Sequence, residues 1–295
     1  MRYYGYLLCS VVLMASAFIA AKLLLNTGAP PTALAAVRFA VAGLLAGAFL
    51  GAYKSLDYPG SLRDLLGLLL VGLLQTAVLF GTGFLAMLHL NPATVALFTL
   101  TMPIWVVFFE SLIDKKWPAT PTLLGAFMGI FGVALIVQAG ISMGAADLIW
   151  YLLPLVGAVS WAWATIFTKR AGLAFSGWSM NAWQMLFGGS ILAILCWWLD
   201  LPLLELKDTQ DWLAFSWLVI PGSILSFGLW FAALQLGGAT VTSGYLFLVP
   251  FFTALLSMLV LDTHFSGSQI LGGIAVGLGI WLMSKNRSIA DEQVE

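Results

Sequence analysis

Charge is what this sequence has least of. Its 295 residues include 12 Lys and Arg and 13 Asp and Glu, 8% in all, where a soluble domain carries about 25%. That shortage excludes a soluble globular domain. The formal net charge of −1 leaves no basic face for nucleic acid, so none is expected as a partner. Cysteine is nearly absent as well. Cys9 and Cys196 sit singly in apolar runs, which excludes a disulfide framework and assigns both to packing. The two histidines, His89 and His264, fall at helix ends with no Cys, His or paired carboxylate at ligand spacing. No metal site and no His-based catalysis is therefore expected. No nucleotide loop is present either. GGSIL and GGIAVGLG lie inside apolar runs, where glycines let helices approach closely. Gly125/Gly129 and Gly273/Gly277 read the same way. No cofactor is expected, and no polar stretch is long enough for a soluble domain. The tail SKNRSIADEQVE is short and expected to fray.

Apolar residues are what is there, at 61% with a mean hydropathy of +1.01. A polytopic all-α integral membrane protein is the class that remains. Ten runs of about 20 residues can be counted, near 5–25, 32–52, 64–86, 91–112, 121–140, 147–168, 178–199, 212–234, 239–261 and 268–285. Short connections between them fit antiparallel neighbours. Arg2, an apolar stretch and the Ala15–Ala17 triplet resemble a signal peptide. The run continues to Leu25, however, long enough to span a membrane, so a retained helix is expected. Lys and Arg set the orientation, because positive loops stay cytoplasmic. With the N-terminus inside, Arg2, Lys54, Arg63, Lys115, Lys116, Lys169, Arg170, Lys285 and Arg287 are cytoplasmic, nine of the twelve basic residues. Both termini are thus expected inside. The opposite side collects Asp147, Asp200, Glu205, Asp208, Asp211 and Asp262.

An internal repeat runs through the chain. FLAMLHLNPATVALFTLTMP (84–103) aligns with FAALQLGGATVTSGYLFLVP (231–250), pairing Pro103 with Pro250 at an offset of 250 − 103 = 147. The same offset pairs Lys22 with Lys169, Gly125 with Gly272 and Gly132 with Gly279. Each half holds five helices, here placed at 1–142 and 143–286, with 287–295 as a cytoplasmic tail. Five is odd, so the second half enters the membrane upside down, as in secondary transporters. Two such halves meet about an in-plane two-fold axis, with a site between them near the midplane.

Ten helices, two five-helix halves and a proline within the fourth helix of each half resemble the drug/metabolite transporter superfamily, and within it the EamA-type exporters. The residues that carry the resemblance are Ala20–Lys22, Arg38 early in the second helix, LTMP and LVP, Asp114 and Asp262. GAFMGIFGVALIV (125–137) and GGIAVGLGIWLM (272–283) match as well. The resemblance covers nearly the whole chain and implies a transporter fold. It says little about substrate, since the family exports amino acids, other metabolites and drugs. Where the family often has Glu after Gly behind each fourth helix, this chain has IDKK and LDTH. No coupling role is carried onto Asp114 or Asp262.

Candidate residues follow from the repeat and from helical spacing. Pro103 and Pro250 sit at equivalent places, where a proline removes one hydrogen bond and bends the helix. They can act as hinges, or be packing kinks only. Thr94, Phe98, Thr101 and Trp105 share a helix face, and their mates are Val241, Tyr245, Leu248 and Phe252. Two aromatic-plus-hydroxyl stripes of this kind could line a path for a small amphipathic molecule. The sixth helix adds Trp161, Trp163 and Thr165, whose mates are Met14, Ser16 and Phe18. The third adds Gln75 and Thr76, the seventh Gln184 and the eighth Trp230. A mid-membrane amide needs a partner and faces the bundle. Such abundant aromatics are also simply core and interface. Glu110 is a costly intramembrane acid, for which an interfacial ion pair with a nearby lysine is expected. Arg38 and Lys22 can snorkel, and Arg38 can equally face a vestibule and meet a substrate carboxylate.

The function expected is secondary export, not enzymatic. Amino acids or related amines would pass by alternating access through a midplane cavity of helices one, three, four, six, eight and nine, in the bacterial inner membrane. The partners are the substrate and the bilayer; a monomer is admitted, with the oligomeric state left open. A multidrug or quaternary-amine exporter is the alternative, and would call for a central buried carboxylate. A membrane-embedded lipid-modifying enzyme would need a His/Asp or Ser/His constellation that the sequence does not show. A non-transporting scaffold would lack a polar cavity.

Overall fold

The computed structural model describes residues 2–90, 92–137, 148–261 and 266–292. It is all helix, with no strand among the described residues. Ten helices are long and apolar enough to cross a membrane: α1 (Arg2–Asn26), α2 (Pro31–Ala52), α3 (Leu62–Met87), α4 (Thr94–Asp114), α5 (Thr120–Val137), α6 (Leu148–Arg170), α7 (Gly177–Trp198), α8 (Thr209–Leu236), α9 (Ala239–Val260) and α10 (Gly267–Ser284). Local chemistry starts several of them. Ser61, Ser176 and Asp208 cap α3, α7 and α8 by accepting hydrogen bonds from backbone N–H groups three residues on. The division expected between 142 and 143 lies outside the described residues, as do Asp147, Asp262 and His264. The tail departs from expectation. Helical backbone continues from α10 to Glu292, because nothing between Ser284 and Glu292 breaks a helix that adds one hydrogen bond per residue. Cys9 is also a correction, since it lies on an exposed face of α1 and not in the packed interior.

Two antiparallel helix pairs show how the halves relate. In α5 and α10, an added Cβ on Gly125 would lie 2.5 Å from the Gly279 carbonyl oxygen, and one on Gly132 would lie 2.5 Å from that of Gly272. The mate of Gly125 is Gly272 and that of Gly132 is Gly279, so the contact maps onto itself under the repeat. In α2 and α7, Gly43 faces the backbone of Leu186 while Gly189 faces that of Ala40. Rising number on one helix meets falling number on its mate in both pairs. Equivalent helices therefore run in opposite directions, and the repeats are inverted. Of the glycine pairs read from the sequence, Gly125, Gly129 and Gly273 do sit at close contacts, while Gly277 faces open space.

Pro103 and Pro250 both follow a break in helical backbone, whereas Pro154 sits inside the unbroken α6. Around Pro103 the helical segments are Pro92–Thr99 and Met102–Asp114; around Pro250 they are Ala239–Gly244, a 3₁₀ turn at Tyr245–Phe247, and Leu248–Leu261. Pro103 and Pro250 stand in the first turn of each second segment. A missing N–H is tolerated at that position.

Candidate substrate site

The middle of the molecule is built on a backbone irregularity that the sequence does not announce. α3 widens into a π-turn at Leu73–Val78 and α8 at Ile220–Leu225. Both differences, 220 − 73 and 225 − 78, equal 147. Pro221 starts the second π-turn, but its mate is Leu74, so proline is not the common cause. The shared cause is packing with hydroxyl groups that occupy the freed carbonyls. Ser160 Oγ of α6 donates to the Leu74 carbonyl at 2.8 Å. In α8, Ser223 Oγ donates to the Leu218 carbonyl and Ser226 Oγ to that of Gly222. Ser10 of α1 then donates to the Ser226 carbonyl. Single-turn π-bulges recur at functional sites, and these two lie at the centres of their helices.

The equivalent hydroxyl positions Thr76 and Ser223 also tie each π-turn to the other half. Thr76 Oγ1 donates to Gln184 Oε1 at 2.6 Å. Gln184 Nε2 donates to Asn181 Oδ1, and Asn181 Nδ2 to the Ile224 carbonyl. At the mate of Thr76, Ser223 accepts from Arg38 Nε at 2.7 Å, while Arg38 Nη2 donates to the Gly222 carbonyl at 2.9 Å. One turn is thus held by a neutral amide and its mate by a cation. No carboxylate pairs with Arg38 among the described residues; its guanidinium carbon lies 4.7 Å from the Phe39 ring centroid.

Beside these links lie buried polar atoms without partners. Both amide atoms of Gln75 and the ring N–H groups of Trp161 and Trp230 have no hydrogen-bond partner among the described residues. Gln75 and Trp230 are 0% exposed, and the two indoles lie 6.1 Å apart. Trp161 and Gln75 each adjoin one end of the Ser160–Leu74 bond. An unpaired buried polar group costs about 1–3 kcal/mol. Several together give this layer donor and acceptor groups that the protein's own side chains do not use. Thr76, Trp161, Gln184 and Trp230, expected on the substrate pathway, are buried within this layer, and Met14, expected there too, is buried as well. Asn181, Ser223, Ser160 and Ser10 belong to it as well. Of these, only Ser223 carried a sequence signal, as the hydroxyl-bearing mate of Thr76.

The aromatic residues fall into separate groups. Phe109 stacks on Trp163 at 4.8 Å and on Trp105 at 6.2 Å, and Trp163 is 41% exposed. Thr101 accepts from Trp105 Nε1 and donates to the Phe98 carbonyl. Tyr245 meets Tyr4 of α1 at 6.2 Å. Its mate Phe98 meets Tyr151 of α6, the mate of Tyr4, at 5.6 Å. The stripes therefore form two repeat-related pairs and one stack, and no ring contact joins Tyr245 to Trp105 or Trp163 among the described residues. Glu110 does not pair with a lysine. Thr240 of α9 donates to its carboxylate, because Glu110 faces the opposite half and not the loop. Asp114 makes two 2.7 Å bonds to Arg170.

Replacing Gln184 with Leu is expected to leave the Thr76 hydroxyl and the Asn181 carbonyl unpaired. The loss is about 1–3 kcal/mol, or roughly 3–10 °C in midpoint at this size. Thermal unfolding of Q184L, T76V and the double variant checks it. Strictly additive effects would show that the two side chains do not interact.

Comparison with known proteins agrees with this architecture. The model of the EamA-like transporter family matches residues 1–138 and again 148–285. Protein PecM of Dickeya dadantii is 27% identical over 217 residues, covering 71% of this chain and 70% of that protein. The uncharacterized inner membrane transporter YedA of Escherichia coli is 29% identical over 231 residues, covering 77% and 72%. A solved crystal structure superposes with a TM-score of 0.81 at 20% identity, covering 99% of this chain and 98% of its own, which is a likeness of fold. With its family model matched once in each inverted half, this chain belongs to the EamA-like transporter family and is an integral membrane transporter.

Proposed function

We propose that the chain exports small amphipathic metabolites, amino acids or related amines, by alternating access about the buried midplane layer. The observation that carries this reading is the layer itself. It holds unpartnered atoms of Gln75, Trp161 and Trp230 and an Arg38 that no acid neutralises. An intramembrane cation of this kind marks a substrate pathway by default. A zwitterion matches these groups: a carboxylate for Arg38, hydrogen-bonding groups for Gln75 and the indoles, and an apolar body for the Trp161–Trp230 faces. Trp230 lies seven residues along α8 from Ser223, about 10 Å, a distance that suits a small solute.

The two ends of the molecule support alternation between states. At the end carrying the N-terminus, the halves are tied by polar contacts: Glu110 with Thr240, Asp114 with Arg170, and Tyr3 with Thr242 at 2.9 Å. The repeat-related positions at the other end are Ser257 with Ala93, Leu261 with Leu23, and Trp150 with Val95. By residue type these positions hold no acid–base or Tyr–Thr pair. In the proposed cycle these contacts close the cytoplasmic side and break when the halves rock. The junctions at Pro103 and Pro250 are the hinges, and Phe98, Thr101, Trp105, Trp163 and Tyr245 flank the route. The halves are assigned to residues 1–142 and 143–286, in a bacterial inner membrane with both termini inside. The Trp105–Phe109–Trp163 stack, whose first two rings share α4 with Glu110, favours a quaternary-amine substrate as the second reading.

Counterflow in proteoliposomes decides between them. Liposomes loaded with each unlabelled amino acid are expected to accumulate the labelled one several-fold above empty vesicles. Exchange of tetraethylammonium with no amino acid exchanged would transfer the function to the second reading, and exchange of neither would sink both.

A further inference from the structure

A groove of about 460 Å³ opens between α4 and α5, away from the midplane layer. Its walls are apolar, with Ile104, Phe108 and Leu112 on one side and Leu123 and Phe127 on the other. Phe108, Leu112 and Phe127 are more than half exposed, so the groove faces outward. Lys115, Lys116 and Trp117 stand across one end of it. From Ile104 to Lys115 is eleven residues, about 16 Å of helix. That is roughly half of a 30 Å hydrocarbon core, the depth of one leaflet.

The charge at the mouth is only partly offset by the local fold, through the proximity of Lys116 to Asp114. α4 ends with Lys115 in the left-handed region, φ 52°, and the Lys116 N–H closes the turn on the Ser111 carbonyl. This folds the loop over the groove. Asp114, the adjacent acid, is taken by both guanidinium nitrogens of Arg170 on α6, and Glu110 is taken by Thr240. Lys115 and Lys116 make no ion pair among the described residues. Trp117, 94% exposed, has the side chain that settles at a headgroup level. At the mates of Lys115, Lys116 and Trp117 the sequence has Asp262, Thr263 and His264, so the lysine pair belongs to one half alone.

We infer that this groove is a binding site for an anionic phospholipid, with one acyl chain lying between α4 and α5 and the phosphate at Lys115 and Lys116. The site is separate from the substrate layer and stands whether or not amino acids are the cargo. A bound lipid would brace α4, the helix that carries Pro103, Glu110 and Asp114.

Native mass spectrometry of the purified protein tests it, with phosphatidylglycerol and phosphatidylcholine as probes. Each lysine at a membrane surface favours the anionic lipid roughly five-fold. Wild type is expected to retain phosphatidylglycerol in clear preference, and K115Q/K116Q to bind both lipids alike. S111F puts a ring into the groove wall, where the Ser111 hydroxyl donates to the Val107 carbonyl of its own helix. With unfolding temperature confirming the fold, S111F is expected to lose both lipids. K54Q, an exposed lysine outside the groove, serves as the control and is expected to behave as wild type. Unchanged preference in K115Q/K116Q, equal loss in K54Q, or full lipid retention in S111F would each overturn the assignment.

Discussion

Replacing Arg38 with Met is expected to raise the KM for an amino-acid substrate by roughly ten- to a hundred-fold. A hydrogen bond to a charged group is worth about 1.5–3 kcal/mol, and 1.4 kcal/mol is a factor of ten. The variant also loses the bonds to Ser223 and Gly222, so a structural effect must be told apart from a binding one. Ser223 keeps its own bond to the Leu218 carbonyl, and Met is close in length to the Arg stem. A methyl ester separates the two roles, because it has no carboxylate for Arg38 to meet. If Arg38 binds substrate, wild type and R38M should handle the ester alike and differ only for the acid. R38K should lie between, since it keeps the charge but loses the planar fork. An equal loss for acid and ester would make Arg38 a brace between α2 and α8 and nothing more.

The fold was legible in the sequence because membrane burial leaves few choices. Runs long enough to span and basic residues gathered at alternate ends are both properties of composition along the chain. The 147-residue offset survives in side chains that backbone packing constrains, such as Gly125, Gly132 and Pro103. What sat between those residues was harder to see. The π-turns take partners from elsewhere in the chain, here Ser160 and Arg38, as well as from their own helix, and a local pattern cannot show the distant ones. The mid-helix proline suggested a kink; the structure instead has two helical segments with the proline where the second begins. Glu110 sat close to Lys115 and Lys116 in sequence, and that proximity pointed to the wrong partner. Depth and facing decide such a contact, and the facing residue was Thr240. Aromatic stripes at helical spacing were read as one lining. Tertiary packing sorted them into Phe98–Tyr151, Tyr4–Tyr245 and the Trp105–Phe109–Trp163 stack.

The midplane layer combines two kinds of element with different tolerances. The polar links that hold the π-turns are few, and each can break and reform as the halves move. The glycine contacts of α5 with α10 lie along the two-fold axis and have no such freedom. Under the proposed alternating access, the seams on the axis would hold the halves together while the weaker contacts at the cytoplasmic end open and close. The Glu110–Thr240, Asp114–Arg170 and Tyr3–Thr242 contacts belong to the second kind. An exposed ion pair such as Asp114–Arg170 contributes only about 0–1 kcal/mol, which suits a contact that the proposed cycle would break.

Valine at Gly132 is expected to destroy the α5–α10 seam. The new Cβ would stand 2.5 Å from the Gly272 carbonyl oxygen and 2.8 Å from the Val276 backbone nitrogen. Overpacking a core costs about 1–3 kcal/mol when side chains can shift. Here the obstructing atoms are backbone, which cannot turn aside, so the cost lies above that range. The two-fold axis makes the prediction symmetrical. Valine at Gly272 meets the Gly132 carbonyl oxygen at 2.6 Å, while Gly125 and Gly279 meet each other's carbonyls at 2.5 and 2.6 Å. All four single variants should therefore fail alike, with most of the monodisperse peak lost on size exclusion in detergent. Gly277 lies on the same helix as Gly272 and Gly279, and a Cβ there meets nothing within 4 Å. G277V should elute and unfold as wild type does. If the four variants spread widely, or if G277V fails with them, the antiparallel seam is misplaced and with it the inverted relation of the halves.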